Sequence, residues 1–158
     1  MTSTNGPRLR ASMFGSANQF AQTPPEILKQ IQDMYNNGHP MYDPCPANPQ
    51  TCGLADPAWN GNCCYCNPPY KNVEVWLKKC IQQCKLNKTI VCLIPFRSNT
   101  NWLHDNLLNE SHCHEIALIR QGVKFVNYKK KAPFALCLAI YRPTSRERLE
   151  VKSIDFYH

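Results

Sequence analysis

Nowhere in its 158 residues does the chain have an apolar run long enough to span a bilayer, which takes about 20 predominantly apolar residues. Residues 1–20 are polar and lack the apolar core of a secretory leader. The chain is therefore expected in the reducing interior of a cell, cytoplasm or nucleus of a host, with no membrane partner. Acid is scarce: 11 Asp and Glu stand against 18 Lys and Arg, a formal charge of +7. That balance suits a polyanionic partner. Paired C-x-x-C knuckles of a structural zinc site are lacking, and there is no internal repeat. Cysteine itself is abundant, ten in all, mostly inside apolar runs such as Ile90-Val91-Cys92-Leu93-Ile94 and Ala135-Leu136-Cys137-Leu138-Ala139. In such runs a free thiol acts as a small hydrophobe. Cys45, Cys52, Cys63, Cys64 and Cys66 with His39 are one conceivable zinc group, and His112-Cys113-His114 reads as surface loop. No metal is assigned.

Punctuation divides the chain into a flexible tail (1–19), one folded domain (20–142) and a polar C-terminal tail (143–158). Thr23-Pro24-Pro25-Glu26 reads as a helix start with Thr23 as N-cap. Ile27, Leu28, Ile31, Met34 and Tyr35 then follow at helical spacing, and Asn36-Asn37-Gly38 ends the helix. Pro40–Tyr42 is a short strand delivering Asp43, and 44–62 is a loop rich in Pro, Asn, Gly and Cys. Further strands are expected at Cys63–Cys66, Thr89–Phe96, Glu115–Arg120 and Phe134–Arg142, with helices at Val73–Lys85 and Trp102–Leu108. Strands alternating with helices indicate an α/β sheet, mostly parallel, here with an antiparallel hairpin at the C-terminal end. In such sheets ligands sit beyond the carboxyl ends of the strands. Asp43 and Asn67 both fall at such ends.

Asn67-Pro68-Pro69-Tyr70 follows a strand of four residues. The residue types suit one task. An exocyclic amine is a poor nucleophile because its lone pair is delocalised into the ring. The Asn67 side-chain oxygen and the Pro68 carbonyl can each accept one of its hydrogens and aim the lone pair outward. Pro68 and Pro69 hold that carbonyl by fixing φ, and the Tyr70 ring offers a stacking face. The same tetrapeptide is also an ordinary turn sequence.

An Asn-Pro-Pro-aromatic turn after a strand resembles the amine-gripping motif of S-adenosylmethionine-dependent methyltransferases. The chain as a whole resembles the phage-type DNA N6-adenine methyltransferases over roughly residues 19–142. The matching features run in order: Thr23-Pro24-Pro25, Tyr42-Asp43, Gly53-Leu54 with Trp59, Cys66 to Tyr70 with Trp76, Leu93-Ile94-Pro95 with Thr100, Trp102 and His104, then Lys124-Phe125 and Ala132-Pro133-Phe134. Where the family often has an acid before Gly-Leu this chain has Cys52, with Asp56 nearby. Where it usually has Arg before Lys-Phe this chain has Gly122, with Arg120 nearby.

The resemblance implies an abbreviated Rossmann-like methyltransferase fold and methyl transfer from S-adenosylmethionine to the N6 amine of a flipped adenine in DNA. It implies catalysis by Asn67, Pro68, Pro69 and Tyr70, and cofactor contacts from Thr23, Pro24, Asp43, Asp56 and Asn67. DNA contacts are expected from the basic run Lys129-Lys130-Lys131 and from Arg97, which follows a strand end. Alternative substrates are an RNA base or a protein glutamine amide. A non-catalytic binding module on the same fold is a further alternative. No oligomeric state is assigned.

Overall fold

The computed structural model describes residues 21–46 and 53–157. The expected flexible tail, 1–19, and Cys52 lie outside the described residues. Helix α1 (Pro25–Tyr35) begins with Pro in its first turn and Glu26 near the positive end of its dipole. Thr23 is not its N-cap. Pro24 holds that position, and the Thr23 hydroxyl instead lies 2.6 Å from the Tyr65 hydroxyl. At the other end Gly38 takes φ +80° and donates its N–H to the Gln32 carbonyl, a turn that Gly closes without strain.

Five strands form one sheet: β1 (Cys63–Cys66), β2 (Thr89–Pro95), β3 (Cys113–Ile119), β4 (Leu136–Tyr141) and β5 (Glu150–Ile154), in the order β1-β2-β4-β3-β5. Helix α2 (Val73–Cys84) connects β1 to β2. A short helix α3 (Asn101–Leu103) runs into a π-helical turn (His104–Leu108) between β2 and β3. The expected strand at Pro40–Tyr42 shrinks to a single bridge, Tyr42 with Cys64, held by Tyr42 N–H to Cys63 at 3.1 Å and Tyr65 N–H to Tyr42 at 2.8 Å. Pro40 has no N–H to extend it.

The sheet is mixed and not mostly parallel. β1–β2 and β3–β5 are parallel, whereas β2–β4 and β3–β4 are antiparallel. β4 causes the difference: it returns antiparallel from β3 and inserts between β2 and β3. The antiparallel pair does not end the chain, because β5 follows within the stretch expected to be a polar tail. All five of its residues are exposed or half-exposed, as suits an edge strand. Its sequence therefore lacks the apolar alternation by which strands are recognised.

Helices cover both faces, giving three layers. α2 and the α3 turn pack on one face against Cys64, Cys66, Ile90, Cys92, Ile116 and Tyr141. α1 packs on the other through Ile27 and Ile31 against Tyr65, Val91, Leu93 and Leu138. Alternate residues of each strand divide between the two cores. The central strands β2 and β4 are buried on both faces and read as continuous apolar runs. Among the described residues no helix is long and apolar enough to cross a membrane, and the nine described cysteines are free thiols.

Candidate active site

Three chain segments meet beyond the carboxyl ends of β1 and β2. The bridge at Tyr42 delivers Asp43, β1 delivers Asn67, and β2 delivers Phe96 and Arg97. β4 runs the opposite way, so its amino-terminal side adds Phe134 there, with Phe96 N–H bonded to the Ala135 carbonyl at 2.9 Å.

Asn67 is buried at 8% exposure. Its Nδ2 donates to the Ala21 carbonyl at 3.1 Å. That bond orients the amide: the nitrogen faces the backbone ahead of α1, and Oδ1 is left as an acceptor toward Tyr70, whose hydroxyl lies at 3.5 Å. After Pro68 and Pro69 the chain makes one 3-10 turn (Tyr70–Asn72), closed by Asn72 N–H to the Pro69 carbonyl at 3.1 Å. The half-buried Tyr70 ring meets Phe134 edge-on, with centroids 5.7 Å apart. The Arg97 guanidinium sits 5.8 Å from the Phe134 centroid. Burial pushes the Tyr70 phenol well above its ordinary pKa, so it stays a neutral hydroxyl.

On the other side of Asn67 lies a pocket of about 160 Å³, lined by Ala21, Thr23, Leu28, Asp43, Tyr65 and Asn67 among others. Strand alternation places Tyr65 and Asn67 on this side while Cys64 and Cys66 face α2. Asp43 both caps a turn, through Cys45 N–H at 2.9 Å, and borders the pocket. Asp43 keeps exposed surface; partial desolvation raises its carboxyl pKa, and the Cys45 N–H opposes this. The Asp43 loop is held by Gly53, where a Cβ would lie 2.2 Å from the Pro44 carbonyl oxygen. Trp59 in turn anchors Gly53 by donating Nε1–H to its carbonyl at 2.9 Å.

Thr23, Asp43 and Asn67 are thus brought together. Pro24 is not at this pocket; it lines a neighbouring one with Lys124, Tyr128 and Tyr157. Asp56 is absent from both linings, and its carbonyl accepts from Lys79 of α2. Lys129 and Lys130 are exposed on the 120–135 connection, while Lys131 packs 4.4 Å over the Tyr157 ring and donates to Gln121. Tyr65 and the Ala21 carbonyl, both at the site, were not singled out by sequence reasoning. Tyr65 carried a signal in its alternation with Cys64 and Cys66. A backbone carbonyl leaves none.

Among the described residues Cys45, Cys63, Cys64 and His39 of the conceivable zinc group join no three-ligand cluster. The one such cluster among the described residues is Cys66, Cys80 and Cys92. His112 and His114 flank the first residue of β3, their rings held by Glu110 at 2.9 Å and the Thr144 carbonyl at 2.6 Å.

A family model described as DNA N-6-adenine-methyltransferase (Dam) matches residues 48–140, more than half of the chain. The chain belongs to this family. At family level that means DNA adenine methylation, with DNA as substrate. The matched stretch contains the Asn67 turn, α2, β1 to β3 and β4 up to Ile140, whereas Thr23 and Asp43 precede it. Comparison with curated proteins and with solved structures gives no match.

Proposed function

We propose that this member of the Dam family transfers a methyl group from S-adenosylmethionine to the N6 amine of adenine in DNA. The observation that carries the reading is the oriented Asn67 amide, whose nitrogen is occupied by the Ala21 carbonyl and whose oxygen is left to accept. Asn67 Oδ1 and the Pro68 carbonyl take the two amine hydrogens. Tyr70 and Phe134 flank the base, a task for aromatic faces. Arg97 and the exposed Lys129 and Lys130 meet phosphates.

The donor's pocket is the one bordered by Thr23, Asp43 and Asn67. S-adenosylmethionine supplies an activated methyl group on a sulfonium when bound. The lining suits such a molecule: Asp43 offers a carboxylate to hydroxyls or to positive charge, Thr23 a hydroxyl, and Leu28 and Met41 an apolar wall. Because Asn67 lies between pocket and turn, donor and acceptor meet at one side chain, and orientation contributes most to the rate.

A second reading, a binding module without catalysis, is favoured by pocket size: about 160 Å³ is below the roughly 300 Å³ at which small-molecule sites usually begin. The test is incubation with labelled S-adenosylmethionine and unmethylated DNA, RNA and protein in parallel. Label is expected in DNA, at adenine N6. Label in RNA or in glutamine instead would change the substrate. No label, with no donor binding at millimolar concentration by calorimetry, would establish the binding module.

A further inference from the structure

Directly behind the Asn67 turn, on the opposite face of the sheet, the sulfurs of Cys66, Cys80 and Cys92 lie within 4.8 Å of one another. Those of Cys80 and Cys92 are 3.8 Å apart. All three residues have no exposed surface. Each comes from a different element. Cys66 ends β1, Cys92 is its register partner across the parallel ladder with β2, and α2 lays Cys80 over both. Their positions, 14 and 12 residues apart, match no ligand-spacing motif, which is why the sequence conceals them.

The geometry of the triangle is informative. An ion at the centre of three sulfurs with bonds of about 2.3 Å has sulfurs about 4.0 Å apart, √3 times the bond. The Cys80–Cys92 separation of 3.8 Å is close to that value, and no pair of the three exceeds 4.8 Å. We propose that Cys66, Cys80 and Cys92 form a three-coordinate binding site for a soft monovalent ion, Cu(I).

The choice of ion follows from the donors. Thiolates select soft ions, and hard cations require oxygen ligands that are missing from this group. Zinc in a closed site takes four ligands. Among the described residues no fourth His, Cys, Asp or Glu atom joins the three, and full burial keeps solvent off the sulfurs in the closed fold. Uptake releases thiol protons. It also leaves net negative charge among apolar residues such as Trp76, Leu77 and Ile94, which is costly. Only an ion with strong bonds to sulfur offsets that cost. An occupied site ties β1, β2 and α2 together at the residue immediately before Asn67, so the strand end that presents the turn becomes stiffer. None of this rests on the proposed methyl transfer.

The test uses the full reduced chain under anaerobic conditions, titrated with Cu(I) against a chromogenic Cu(I) chelator. One equivalent is expected to be withheld from the chelator, with a rise in melting temperature because the ion binds the folded chain. X-ray absorption of the loaded protein is expected to count three sulfur neighbours at about 2.3 Å. Cys80→Ala is expected to lower the affinity by about a hundredfold or more, since losing a ligand exceeds the 10–100-fold cost of losing its support. Cys45→Ser with Cys137→Ser should leave uptake intact. Circular dichroism of each metal-free variant separates loss of the site from loss of the fold, and the sulfur count needs no variant at all. The proposal is overturned if the wild-type chain withholds no copper, if only two sulfurs are counted, or if folded Cys80→Ala binds as tightly as wild type.

Discussion

The two faces of the sheet are built from alternate residues of the same strands, yet they differ in kind. In β1, Cys64 and Cys66 point toward α2 into a core of apolar side chains and thiols, while Tyr65 points toward α1 and borders a pocket of mixed polar and apolar lining. The α2 face is closed by amphipathic α2 together with the α3 turn, which fill it. The α1 face is closed only in part, because α1 stops short and the segment ahead of it, Ala21 to Thr23, curls over the strand end to meet Asn67 and Tyr65. A pocket forms where helical cover gives way to loops, and a packed core forms where it does not. Five experiments break or sharpen that comparison.

On the filled face, Leu77 is completely buried. Leu77→Ala is expected to cost about 2–5 kcal/mol of stability, read by denaturant unfolding, while donor affinity of the folded protein is unchanged. A change in affinity without a loss of stability would mean that the two faces are not separate.

On the open face, Asn67→Ala is expected to lower methyl transfer a hundredfold or more, about 3 kcal/mol, with donor binding nearly intact. Single-turnover kinetics beside calorimetry separates the two effects. Near-normal activity would remove the central role of Asn67.

Tyr70→Ala is expected to lose about 1–3 kcal/mol of base stacking. Tyr70→Phe keeps the ring and its edge contact with Phe134, and gives up only a long hydrogen bond of 3.5 Å to Asn67. Equal damage from both changes, in substrate affinity and rate, would show that the hydroxyl and not the ring is required.

Asp43→Asn exploits the raised carboxyl pKa. Partial desolvation pushes the pKa up, in opposition to the Cys45 N–H, although the residue keeps exposed surface. A carboxyl whose pKa is raised by folding favours the folded state when protonated, and this contribution is lost as pH rises through the folded pKa. The variant is therefore expected to melt slightly higher than wild type at neutral pH. The gain should vanish below the ordinary carboxylate range, and donor binding should be weaker. Melting curves at pH 3 and pH 7 check the sign.

Replacing Lys129, Lys130 and Lys131 together with Gln is expected to weaken DNA binding equally across sequences. The log–log salt slope should fall by about two units, near 0.9 per lost phosphate contact. Two, and not three, are expected because Lys131 is engaged with Tyr157 and Gln121. An unchanged slope would move the DNA path to Arg97.

Much of this arrangement is legible in the residues, and the gaps have physical causes. Local chemistry reads well: the proline-started α1, the amphipathic α2, the doubly buried β2 and the Asn-Pro-Pro-Tyr turn each carry a signal within about ten residues of chain. The edge strand β5 carries none, because a strand with little burial on either face needs no apolar pattern. Thr23 reads as a cap from its neighbours alone, but the Tyr65 hydroxyl, 42 residues away, takes its side chain. Asp56 enters as a cofactor contact only through the resemblance, as the acid near Gly53-Leu54, and in the fold its backbone carbonyl accepts from Lys79.

By itself the sequence determined most of the helices and the buried strands, the family to which the chain belongs, and the Asn-Pro-Pro-Tyr turn that follows β1. Those properties depend on near neighbours and on residue type. The tertiary structure alone decided that β4 inserts between β2 and β3, that the Ala21 carbonyl orients the Asn67 amide, and that Cys66, Cys80 and Cys92 converge. Each is a pairing between segments far apart in the chain, chosen by how whole elements bury their apolar faces, and no window of neighbouring residues encodes it.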